Sequence, residues 1–448
     1  TASCVGAPRQ ADTARNADVT EFTLTITANA VGGGKNAAEA AWITDYVIPT
    51  FTQRQAAKGV RATVRFEGNG SADSEYKTKM ALDFTTGGGA DIVDIDGIWL
   101  GEFATANQLK PLDDLVGKVT VDAWEGWRQI PPALDSLISF QGRRYGVPLG
   151  TDGRVLFFNK NLFARAGLPV DWQPRSWDEI TAAGEALRKL PGVTPIQLDA
   201  GTAMGEATTT QGFLPMLAGT GADIFADGKW QGATGDIRDV LGLYQRIYGG
   251  GLGDPLLQQE AKGRDKSFTA FAENKIGILL ESDYLWRSVL EPKSGVAKMA
   301  DRDTAVGWAL IPAARQGAAG GKDFVSISGG ATRIINPNTQ YPRQAWELLQ
   351  FIGSAEATKD LFARGARITQ RQDVNDEVLA GDPLLRFVST QVLPYTRFRP
   401  ALADYPKVSA ALQQATADVV SGRSPDEAAA AYQQALAKAV GEASVASG

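Results

Sequence analysis

The chain contains no histidine and a single cysteine, Cys4. Without imidazole there is no commonest general base, no commonest zinc ligand and no Ser-His-Asp arrangement. A lone cysteine excludes an intrachain disulfide and a cysteine-rich metal site. No run of about 18 apolar residues occurs, so no segment reads as a membrane-spanning helix. Charge of one sign is not concentrated anywhere: 45 Lys plus Arg stand against 51 Asp plus Glu, a net −6 with both signs scattered. That argues against a nucleic-acid partner, which needs a positive face toward phosphates. Acidic metal-loop spacing is missing too. Asp94-Ile95-Asp96-Gly97 comes nearest and lacks the remaining ligands, so neither a metal nor another cofactor is expected.

What is present is enough apolar sequence for two cores. At 448 residues and 44% hydrophobic content the chain exceeds the size at which a single core stops growing, roughly 250–300 residues. Phe22-Thr23-Leu24-Thr25-Ile26-Thr27 alternates as a half-buried strand does, and Gly32-Gly33-Gly34 then opens a helical stretch over 37–53. Strands at 60–66 and 90–95 with a helix at 75–84 between them continue the alternation. This spacing predicts α/β layering with a mostly parallel sheet. Ser176-Trp177-Asp178-Glu179 reads as a capping box, a similar helix start is expected at Asp236, and residues 405–440 read as nearly all helix. Pro, Gly and Asp near 149–152, then 326–329 and 373–375, suit crossings between two lobes. The expected division is 20–149 with 330–372, and 153–325 with 376–448.

Several clusters carry candidate chemistry. Asp96, Trp99 and Glu102 follow a strand's carboxyl end, where ligands usually sit in open α/β sheets. A carboxylate accepts from vicinal hydroxyls while an indole covers an apolar ring face, so the set suits a neutral polyol; helix capping by Asp96 and core packing of Trp99 explain the same residues equally well. Gly32-Gly33-Gly34-Lys35-Asn36 lacks phosphate-loop spacing and reads as a flexible turn, with Asn36 lining a cleft. Asp152 lies between a Pro and a Gly, as a ligand contact or an ordinary turn residue. Glu281-Ser282-Asp283-Tyr284-Leu285-Trp286 ends a buried strand with acids and aromatics together, as binding wall or as core plus cap. Gln211, Asp283 and Trp286 are secondary candidates, and Gly329-Gly330 would let backbone approach a ligand closely.

Thr1-Ala2-Ser3-Cys4 resembles the end of a bacterial lipoprotein signal, with Cys4 as the lipidated residue and 1–19 as a tether; multiple acyl chains would hold it at the membrane surface. Beyond that segment, the order of motifs resembles the family 1 extracellular solute-binding proteins, the maltose-binding-protein-like group serving carbohydrate ABC importers. Asp96, Trp99, Glu102-Phe103-Ala104 and Pro111-Leu112-Asp113 carry the resemblance. So do Asp152 with Phe157-Phe158-Asn159-Lys160, Ser176-Trp177-Asp178-Glu179, the stretch from Lys275 to Tyr284, Gly329-Gly330, and the helix around Trp346.

The resemblance implies a type II two-lobe periplasmic-binding-protein-like fold with a hinge. It also implies a sugar bound in the cleft between the lobes, a monomer, ABC importer permease subunits as partners, and a lipid-anchored place on the extracytoplasmic face of the cell membrane. Two departures stand out. Where members carry Gly-x-Trp, this chain has Ser282-Asp283-Tyr284, leaving Trp286 as a competing platform, and the element near Gly365 lacks the family's proline. A glycoside hydrolase using paired carboxylates such as Asp96 with Asp152 or Glu281 is the alternative, as is the same fold binding a non-sugar solute.

Overall fold

Alternation of Phe22, Leu24 and Ile26 with threonines produces strand β1 (Glu21–Ala28) in a computed structural model that describes residues 12–448. The expected lipidation site, Cys4, lies outside the described residues. β2 (Arg61–Gly68) and β3 (Ile92–Asp96) pair parallel with β1, each reached through a helix: Ala37–Trp42, continuing to Ala57, and then Asp73–Thr86. β4 (Gly146–Pro148) and β5 (Ala331–Ile335) complete a sheet of order β2-β1-β3-β5-β4. β5 runs antiparallel to both its neighbours, while the other four strands share one direction, as the expected mostly parallel sheet requires. The difference arises because β5 is the strand on which the chain returns after its long excursion, and it enters the sheet from the opposite end.

The chain divides into two compact units. Unit 1 holds the described residues through Thr151 with Gly329–Gly381, and unit 2 holds Asp152–Ser328 with Asp382–Gly448. The return segment of unit 1 runs past 372 because the helix Gln372–Val378 is tied to the loop before it. Asn375 accepts from Thr369 N and Oγ1 and donates to Thr369 O, while Asp373 N donates to Gln129.

Both faces of the unit 1 sheet are covered. Leu24, Ile26, Trp42, Trp346 and Leu349 pack on one side, and Tyr76, Phe84, Val93, Ile95 and Phe103 on the other. Each such side chain contributes ~1.5–3 kcal/mol by leaving water. In unit 2 the sheet order is Val306–Ala309, Arg154–Asn159, Ile276–Ser282, Thr194–Gln197, and only the last pairing is parallel. Helix starts follow the sequence closely. Ser176 accepts from Glu179 N while Glu179 accepts from Arg175 N, and Ser424 caps Pro425–Val440 in the same way. The helix expected at Asp236 is capped two residues earlier by Thr234 and spans Gly235–Tyr248. Among the described residues no helix is long and apolar enough to cross a membrane.

Candidate functional site

Where β3 ends, the backbone must turn sharply, and Asp96 makes the turn: its Oδ1 accepts the Ile98 N–H at 3.1 Å and so caps the helical turn Gly97–Trp99. The same residue lines a pocket of about 230 Å3 in unit 1 together with Asn29, Asn36, Trp99 and Gly330. Capping and pocket lining are therefore not alternatives at Asp96. Trp99 is likewise both: its ring sits 6.1 Å from Tyr76 and 6.3 Å from Phe103 by centroid, yet it is only partly buried and lines the pocket.

Asn36 adopts the left-handed conformation at φ 49, which asparagine tolerates better than most residues, and its Nδ2 donates to Asn29 O at 2.9 Å. That bond folds the glycine-rich turn against the end of β1. Gly330 contributes backbone. Its carbonyl accepts Gly97 N–H at 3.0 Å, and a Cβ placed on it would lie 2.7 Å from the Gly150 oxygen, so no larger residue fits this approach.

Below these groups lies a buried charge cluster that sequence reading missed. Asp94 and Arg333 stand opposite one another in the β3–β5 register, and Glu39 comes from the helix after β1. Arg333 donates Nη2–H to Glu39 Oε1 at 2.8 Å and places Nε 2.8 Å from Asp94 Oδ1. Glu39 and Asp94 are each 6% exposed, and both line the pocket. Burial pushes Asp94 well above the usual carboxylate range against the pull of Arg333, and the neighbouring Glu39 carboxylate adds to the rise. Burial also opposes the Glu39 anion, but the hydrogen bond with Asp94 and the charges of Arg333 and Arg367 outweigh it and hold Glu39 below its ordinary value. A signal was available: charged residues inside the apolar runs Ile92-Val93-Asp94-Ile95 and Thr332-Arg333-Ile334 are rarely buried unless paired. Asp73 and Tyr76 complete the wall, with Lys35 bonded to Asp73 and the Tyr76 hydroxyl donating to Asp94 O.

Glu102 is bonded to Lys77 and is not among the pocket-lining residues. Gly329 accepts at its carbonyl from Thr151 Oγ1 at 2.8 Å. The remaining sequence candidates belong to unit 2. There Arg154 ties Asp152 and Gln211 together, donating Nη1–H to Asp152 and Nε–H to Gln211, each at 2.7 Å. Asp283 accepts from Gly153 N and from Arg287, and burial lifts its pKa to about 6.

Two aromatics, Tyr284 and Trp286, follow the end of the strand Ile276–Ser282. Tyr284 is 37% exposed, with Phe268 edge-on and Arg287 over its ring. Trp286 is 1% exposed, with the Arg302 guanidinium 3.9 Å over its ring and Trp308 packed against it at 75°. Trp286 is a core residue and offers no face to a ligand, a correction to its place among the candidates. The helical turn Leu285–Val289 points it inward.

The model of the bacterial extracellular solute-binding protein family matches residues 33–359. A putative binding protein of Brucella abortus is 25% identical over 368 residues, covering 81% of each chain. Among solved structures, an ABC transporter solute-binding protein of Thermotoga lettingae bound with α-D-tagatose aligns at 24% identity and TM-score 0.68 over 92% of this chain and 99% of its own. The sugar-binding protein MalE of Xanthomonas citri aligns at 18% identity and TM-score 0.72, covering 93% and 98%. A solute-binding protein of Agrobacterium radiobacter in complex with ribitol aligns at 20% identity and TM-score 0.65, covering 94% and 98%. The fold is thus the two-lobe, type II periplasmic-binding-protein fold.

Proposed function

Because the chain belongs to the bacterial extracellular solute-binding protein family, we propose that it is the lipid-anchored receptor of an ABC importer. In this reading it binds a sugar without altering it and hands it to the permease. The observation that carries the reading is the unit 1 pocket, where Trp99 stands beside Asp96, Asn36 and the Gly330 backbone. An indole covers the C–H face of a pyranose while carboxylate and amide groups bond its hydroxyls, the mixture of one flat apolar surface and several polar groups that small-molecule sites use. Solved structures of similar fold bound with tagatose, maltose and ribitol support the polyol class. Cys4 supplies the anchor in this reading.

The test is a calorimetric screen of mono- and disaccharides, followed by chromatography of the recovered sugar. Saturable binding with the sugar returned intact is expected. Steady hydrolysis of oligosaccharides or nitrophenyl glycosides would instead make the protein a glycosidase.

A further inference from the structure

The segment that leads into β1 is tied down well before the strand begins. Residues 12–17 fold into consecutive turns: Arg15 N–H donates to Asp12 O at 3.2 Å, Ala17 N–H to Ala14 O at 3.0 Å, and Ala14 N–H to Asp12 Oδ1 at 3.1 Å. Asn16 adopts the left-handed conformation at φ 53, which asparagine tolerates. Side chains at the start of the helix Pro342–Ile352 take the carbonyls of these turns. Arg343 Nε–H donates to Thr13 O at 3.2 Å and Gln344 Nε2 to Asn16 O at 2.7 Å, while Asn16 Nδ2 donates to Gln340 O at 2.8 Å.

Gln344 marks the fit as built. The helix buries Ala345, Trp346, Leu348, Leu349 and Ile352, all apolar, and Gln344 is buried with them. A buried amide is costly unless it is bonded, and both bonds that the Gln344 nitrogen donates go to this segment, to Asn16 O and Ala17 O.

The docking point lies at one end of the unit 1 sheet. Thr20 O accepts from Arg61 N where β1 and β2 begin, and Phe22 packs on Tyr341 with ring centroids 5.9 Å apart. The pocket lies at the other end, with Asn29 just after β1 and Asp96 closing β3. The length of β1 separates the two ends, about 26 Å at ~3.3 Å per residue.

Docking also shortens what can act as a tether. A chain spans at most ~3.6 Å per residue, so an anchor at Cys4 reaches about 29 Å from Asp12 but would reach about 58 Å from Thr20. A shorter tether confines a receptor to a thinner layer above the membrane and raises its effective concentration at a permease.

We propose that residues 12–17 are a strap that fixes the exit of the N-terminal anchor at the end of unit 1 opposite the pocket and halves its reach. Of the tether expected over 1–19, only the part before the strap then remains. The inference rests on the reading of Cys4 as the lipidated residue.

Two measurements on the full chain test it. In brief trypsin digestion followed by mass spectrometry, cleavage after Arg15 requires the strap to open, and cleavage after Arg9 is the reference. Arg15 is expected to be cut about tenfold or more slowly than Arg9. Asn16→Gly keeps the left-handed turn but removes the bond to Gln340, and Gln344→Ala removes the bonds from the helix; each should speed the Arg15 cut about fivefold or more, the scale of one hydrogen bond. Asn16→Gly lies on the strap and decides the matter if Gln344→Ala fails to fold. Equal cutting at the two sites, or no change in Asn16→Gly, would overturn the strap. The second measurement uses the lipidated chain on vesicles bearing acceptor-labelled lipid, with a donor dye at Asp18→Cys or at Ala72→Cys, near the strap and near the pocket end respectively. Energy transfer is expected to be higher from position 18 than from position 72. Equal transfer would show that the strap does not fix the exit, and failure to associate with vesicles would refute the lipid anchor on which the inference rests.

Discussion

Arg333 donates to Glu39 at 2.8 Å with both side chains buried, joining a strand of the returning segment to the first helix after β1. The 294 residues separating them in sequence make this contact a clasp on unit 1. It also sets the floor of the pocket, since Glu39 and Asp94 are lining residues.

Arg333→Met is expected to destabilise the fold by ~3–5 kcal/mol, because two carboxyls would remain buried without their cation. Urea denaturation checks it, and the loss should shrink in acid, where both carboxyls protonate. A loss below about 1 kcal/mol would mean that the clasp is dispensable.

Trp99 and Trp286 should separate cleanly. Trp99→Ala is expected to weaken binding of the best sugar from the screen by ~1–3 kcal/mol with the fold retained. Trp286→Ala opens a large core cavity in unit 2 and is expected to cost ~3–5 kcal/mol of stability. Parallel calorimetry and thermal denaturation would show the two effects, and the reverse pattern would exchange the two assignments.

Asp199, in unit 2, is fully buried; its Oδ1 accepts from Gln197 and its Oδ2 accepts no hydrogen bond. Burial, then the charge of Glu281, pushes its pKa up to about 8. In the unfolded chain a carboxyl ionises at about 3.9, so between those pH values the folded state binds the extra proton. Stability contributed by neutral Asp199 is therefore complete below about pH 4 and is lost as pH rises toward 8. Asp199→Asn should remove this slope, and at about pH 8 it should exceed the parent chain by an amount on the order of a few kcal/mol. Denaturation at acid and alkaline pH decides it: equal differences at both would show that Asp199 does not titrate as described.

Gly330→Ala is expected to weaken ligand binding and stability together, since the added Cβ would press on the Gly150 carbonyl at 2.7 Å. Gly117→Ala, at an open turn with φ +91, is the control: it adds local strain without reaching the pocket. Similar ligand affinities for the two variants would show that the close approach at Gly330 plays no part in the site.

Much of this was legible in the sequence. Phe22 to Thr27 shows a strand because its period is two, and Ser176 with Glu179 shows a helix start because both side chains reach orphan backbone N–H groups. Asp96, Trp99 and Asn36, singled out because strand ends and glycine-rich turns collect polar and aromatic groups, line one pocket. Glu39, Asp94 and Arg333 were missed because their meaning lies in pairing across a long stretch of chain, which local pattern does not register. Trp286 stayed undecided between platform and core for a related reason. Two residues separate it from Tyr284, and only the conformation of the Leu285–Val289 turn decides which ring is buried.

A crystal structure of the protein grown with the tightest-binding sugar of the screen tests the account most directly. The account predicts a ring in the unit 1 pocket, over Trp99 and within hydrogen-bond distance of Asp96 or Asn36. A sugar bound elsewhere, with that pocket holding only solvent, would contradict it.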